Sequence, residues 1–113
     1  MADLSPFVLF ESRKQPGLFG LELAEDAMVD VMDVFDDHAQ YGNGFGWDAV
    51  AKQALRSAGL EGRVQTRPDA DRWRAASRDR AALEELGRRL AAAYHDRDRL
   101  SELISGADPR WFT

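Results

Sequence analysis

The chain has no cysteine, and only two of its 113 residues are histidine. Without thiols it can build neither a disulfide framework nor a thiolate site. His38 and His95 each lie near an expected helix end, where the helix dipole favours a positive ring, which accounts for them without a ligand role. Asp96 and Asp98 neighbour His95, but no further side chain completes a metal coordination set, so neither metal nor cofactor is expected. No apolar run approaches the roughly 18–20 residues of a membrane span. Residues 1–6 show no basic region leading into an apolar stretch, so no secretory signal is expected and the expected location is cytoplasmic.

Positive charge is scarce in the first half. The net charge is −5, yet residues 1–50 carry ten acids against two bases, and residues 51–113 carry ten against thirteen. Non-specific nucleic-acid binding calls for a basic footprint overall, and this layout disfavours it. Segregated charge suits a protein partner with complementary patches.

What is present is regular patterning. Residues 7–13 alternate with period two, Phe7, Leu9 and Glu11 against Val8, Phe10 and Ser12, and predict a strand. Pro16-Gly17 marks a turn, and residues 18–23 predict the second strand of a hairpin. From residue 25 to about 39 one helix is expected. Met28, Val31, Met32 and Phe35 form its apolar stripe, and Asp26, Asp30, Asp33 and Asp37 a stripe of acid. Trp47, Val50, Ala51, Ala54, Leu55 and Ala58 form the face of a second helix, opened by Asp48 and stopped at Gly59. Residues 62–67 and 72–78 predict weaker strands around a turn at 68–71. Val64, Thr66, Trp73, Ala75 and Ser77 face one way there, and Arg63, Arg67, Arg72, Arg74 and Arg78 mostly the other. Asp79 caps a last long helix with Leu83, Leu86, Leu90 and Tyr94 buried. Residues 100–104 continue that helix or follow a kink near Asp96, and Gly106 and Pro109 end regular structure.

The order ββααββα predicts an α+β domain, a mostly antiparallel four-stranded sheet with helices packed on one face. One domain is expected over residues 1–113, with its core at about 7–105 and a tail at 106–113 in which Trp111 and Phe112 cover an apolar patch or hang free.

Residues 41–47 read Tyr-Gly-Asn-Gly-Phe-Gly-Trp. An ordinary helix–helix turn needs one glycine, at the position where the chain turns left-handed after the helix end. Three, interleaved with aromatics, describe a specified junction rather than a flexible linker. Gly42, Gly44 and Gly46 lack the spacing of a dinucleotide fingerprint and follow a helix instead of a strand, which removes nucleotide binding. Trp47 begins an apolar helix face and is expected in the core, an anchor for the junction. Tyr41, Asn43 and Phe45 either meet a partner or hold the helices in register. The acids Asp26, Asp30, Asp33, Asp36 and Asp37 are either a solvated face or a surface for a basic partner. Catalysis by paired carboxylates needs unlike environments, and a solvated stripe offers like ones, so an enzyme is not expected. The arginine-bearing strand face pairs with Glu11 and Glu22 of the first hairpin or binds directly, to nucleic acid or to an acidic protein patch.

Residues 34–51, with Phe35-Asp36-Asp37, then Gly42-Asn43-Gly44-Phe45-Gly46-Trp47, then a helix, resemble the immunity protein 51 family of bacterial polymorphic toxin systems. Pro68-Asp69, Trp73 and the helix start Asp79-Arg80-Ala81-Ala82-Leu83 extend the likeness more loosely, over residues 7–95. Family members carry an acid before that proline, where this chain has Arg67. The resemblance implies a non-enzymatic cytoplasmic antidote that binds and blocks a cognate toxin domain, one with a basic, nuclease-like groove if the acids steer it. An adaptor with no toxin is the rival reading, and a nucleic-acid-binding domain using the arginine face is the less favoured one.

Overall fold

A computed structural model describes residues 3–112 of the chain. The alternation of residues 7–13 produces β1 (Val8–Glu11), and after the turn at Gly17 the chain returns as β2 (Phe19–Ala24). They pair antiparallel with Leu9 opposite Leu21 and Phe10 opposite Gly20. Later strands β3 (Gln65–Thr66) and β4 (Arg72–Ser77) complete an antiparallel sheet of order β1-β2-β4-β3. Period-two alternation sends Leu21, Leu23, Trp73 and Ala75 into the core and leaves Arg72 and Arg74 outside. The fold is α+β, as the element pattern predicts.

The helices are α1 (Glu25–Val29), α2 (Met32–Asp36), α3 (Gly44–Ala58), α4 (Arg80–Tyr94) and α5 (Arg97–Gly106), followed by a 3-10 turn at Pro109–Phe112. Helices α3 and α4 pack on the inner face of the sheet, and α5 lies against both. Asp79 and Asp96 cap α4 and α5 through their carboxylates, so the expected kink near Asp96 is a clean helix break.

Four expectations need correction. The single helix over 25–39 is two short ones, because Val31 leaves helical geometry at φ −123°, ψ 13°. The segment is rich in aspartate, a poor helix former, and the break lets both Val31 and Val34 turn inward. Second, α3 does not start at Trp47. It starts at Gly44, and Asn43 caps it by accepting from the Gly46 N–H at 3.1 Å. Third, the left-handed residue after α2 is Ala39 at φ 57°, while Gly42, Gly44 and Gly46 all avoid positive φ. Fourth, the strand expected at 62–67 is only two residues long. Gly59 and Gly62 take left-handed φ and turn the chain, and Pro68 has no N–H to extend the ladder.

Trp47 is the hub of the core and fully buried. Its ring meets Phe7 edge-on at 5.6 Å, Phe35 at 5.6 Å and Tyr94 at 6.2 Å. Among the described residues its Nε1 has no hydrogen-bond partner, so ring packing alone holds it. Asp48, the next residue, is also buried. It accepts from Trp73 Nε1 at 3.2 Å and pairs with Lys52 at 3.0 Å, tying α3 to β4. At the C-terminal end Ala107 and Phe112 join the core and Trp111 packs against it, with Arg56 stacked 4.9 Å over the indole. Trp111 and Phe112 therefore cover an apolar patch on α3.

Candidate partner-binding surface

The glycines of the junction exist for close approach. A Cβ on Gly44 would overlap the carbonyl oxygens of Asp69 and Arg72, and one on Gly46 the carbonyl oxygen of Tyr41. One on Gly42 would press the Phe35 ring at 3.0 Å and the Met32 backbone at 3.2 Å. The first turn of α3 is thus seated on the β3–β4 turn, with Trp47 as its buried anchor. Seating it there leaves Tyr41 outside, 71% exposed. Asn43 spends Oδ1 on the cap, and Phe45 is half-buried.

All five aspartates of the acidic segment are exposed. The helix break distributes them differently from a single stripe. Asp26 lies on α1 and Asp30 at its C-cap, while Asp33 falls in the first turn of α2, where negative charge is favoured. Asp36 and Asp37 stay at a helix end that disfavours them. Among the described residues only Asp33 of the five has a basic partner, Arg97 of α5. The other four have no ion-pair partner among the described residues.

Beside them a cleft of about 330 Å³ opens between α1, α2 and the β3–β4 turn. Val29, Met32 and Tyr41 supply its apolar lining, and Glu25, Asn43 and Asp71 its polar edge. Val29 is 58% exposed. Exposed aromatic and aliphatic groups within a charged rim are the usual composition of a protein-binding patch. Sequence reasoning missed Val29, Glu25 and Asp71. Val29 was detectable as a valine outside the apolar stripe; Asp71 came to the site only through folding.

The histidines serve structure. His38 Nε2 meets Ser101 Oγ at 2.6 Å, joining the end of α2 to α5, and His95 donates from Nε2 to the Ser5 carbonyl at 2.8 Å. Tyr94 donates its hydroxyl to the Ala27 carbonyl at 2.8 Å. Burial first, and then the charges of Asp30 and Asp26, push its pKa above the ordinary tyrosine value. Among the described residues no three His, Asp or Glu side chains gather where they could hold a metal ion. No helix among them is long and apolar enough to cross a membrane.

Fold and surface together describe an α+β domain with an acidic, partly apolar face. The model of the immunity protein 51 family matches residues 7–109, and the chain belongs to that family. No curated protein and no solved structure matches it.

Proposed function

We propose that the protein neutralises a cognate bacterial toxin domain by direct contact in the cytoplasm, with no chemistry of its own. The supporting observation is the run of exposed aspartates, only one of them ion-paired among the described residues, together with exposed Tyr41 in a member of an immunity-protein family. Asp26, Asp30, Asp33, Asp36 and Asp37 draw in a toxin with a basic surface, such as the cationic groove of a nuclease. Tyr41, with Val29 beside it, is the docking anchor. Asn43 and Phe45 form the adjoining edge, held in place by Gly42, Gly44, Gly46 and Trp47.

Co-expression with the toxin gene that neighbours this one in its polymorphic toxin locus tests the reading. Growth should be restored, and the two proteins should co-purify. Failure of both rescue and complex formation rejects it. Tyr41→Ala should weaken the complex while leaving the melting temperature near its starting value, because the ring is exposed.

A further inference from the structure

The outer face of the sheet, opposite α3 and α4, carries a groove. Its central cross-strand row reads Phe10, Gly20, Ala76, Gln65, from the paired registers of all four strands. Two small residues in the middle make a floor, over which the Phe10 ring lies so closely that Gly20 has no room for a Cβ. Arginines rise around that floor. Alternate residues of β4 and its extension are Arg72, Arg74, Ala76 and Arg78, so one alanine interrupts a row of arginine. Arg67 stands beside Arg74, its N–H bonded to the Arg74 carbonyl at 2.7 Å. The resulting groove holds about 530 Å³, with Arg63, Arg67, Arg74 and Arg78 in its lining and no carboxylate among the described residues that line it.

In a chain of net charge −5, a carboxylate-free groove with four arginines is a local inversion of sign. Two of those arginines are already engaged, Arg63 with Asp79 at 3.4 Å and Arg74 with Asp69 at 3.7 Å. Arg67 and Arg78 have no ion-pair partner among the described residues. The guanidinium fork matches a carboxylate in bidentate geometry. Phe10, 41% exposed, offers an apolar contact on the same lining.

We propose that this groove docks an acidic segment of the toxin, with its Asp or Glu carboxylates on Arg67 and Arg78; this rests on the toxin-binding reading above. A protein segment fits better than a nucleic acid. A phosphate backbone would continue past the groove, where it would meet Asp69 and Asp79, the carboxylates already paired with two of its arginines. A short acidic segment ends within it. Asp71 and Ala70 of the β3–β4 turn line the acidic cleft, while Arg67 and Arg74 on either side of that turn line the groove. One partner reaching across the turn engages both surfaces, and opposite charges on the two fix its orientation.

The test uses the purified, catalytically inactivated toxin domain from the adjoining gene and measures Kd by calorimetry. Arg67→Glu with Arg78→Glu should weaken binding at least about 30-fold, since opposed carboxylates replace charge-assisted pairs. Arg99→Glu on α5, which alters net charge away from the groove, should change Kd by less than about threefold. Ala76→Trp fills the floor without altering charge and should also weaken binding. Circular dichroism and thermal melts establish that each variant is folded. Unchanged Kd in both folded groove variants, with wild type binding, overturns the groove and leaves the toxin reading standing. Failure of the wild type to bind the toxin removes both. Binding of a labelled single-stranded DNA or RNA at about 50 mM salt, abolished by the double reversal, overturns the protein-segment proposal in favour of nucleic acid.

Discussion

Gly44 and Gly59 are both glycine for reasons that differ in kind. Gly59 ends α3 at φ 70° with nothing within 4 Å of a would-be Cβ, so its requirement is conformational. Gly44 has ordinary φ but lies directly on the carbonyl oxygens of Asp69 and Arg72. Backbone cannot step aside as a side-chain tip can. Gly44→Ala should therefore cost about 3 kcal/mol, toward the upper end for overpacking, and Gly59→Ala about 1 kcal/mol for the left-handed strain. Urea unfolding of the two variants checks the order. Asp48 offers a second case. Replacing it with Ala strands the buried Trp73 Nε1 and should cost about 1–3 kcal/mol, whereas Asp48→Asn keeps an acceptor and should cost less. Equal losses in a denaturant titration would show that the indole bond is not what Asp48 contributes.

At the scale of elements, the break between α1 and α2 changes what the acids do. In one long helix Asp33, Asp36 and Asp37 would all oppose the dipole. In the structure Asp33 sits in the first turn of α2 and pairs with Arg97, so Asp33→Asn should destabilise slightly, by up to about 1 kcal/mol. Asp36→Asn with Asp37→Asn should be neutral or stabilise by a few tenths of a kcal/mol. All three substitutions together should slow association with the toxin and flatten its dependence on ionic strength, read by stopped-flow at two salt concentrations. An unchanged rate and salt slope would reject steering by this face.

For the whole molecule, Tyr94 links stability to pH. Its hydroxyl holds α1 to α4 through Ala27, and burial with the nearby Asp30 raises its pKa in the folded state. A raised folded pKa means the native state keeps the proton longer than the unfolded chain does. The stabilisation is complete below the unfolded tyrosine value of about 10 and is lost as pH climbs from there through the folded value. Unfolding free energy should fall with pH above that point, and the fall should be shallower in Tyr94→Phe. The same long-range ties run through the molecule: Phe7 joins Trp47 and Trp73 edge-on, and Phe112 returns from the far end to the core.

Local pattern by itself determined the strands of the hairpin, the inward and outward sides of β4, the cap at Asp79, the burial of Trp47 and the asymmetry of charge. These follow from period, capping chemistry and composition, which are carried by neighbours in the chain. The Gly-Asn-Gly-Phe-Gly-Trp run was legible as a family signature, and its glycines as something more than a linker. Only tertiary structure decided why they are glycine, because the atoms they make room for belong to Asp69, Arg72, Tyr41 and Phe35. It also decided that Val31 breaks a helix, that Asp71 meets Val29 and Tyr41 at one cleft, and that arginines from β4 and the turns around β3 enclose a groove. Each of these depends on contacts between residues far apart in the chain, and periodicity carries no information about such distances.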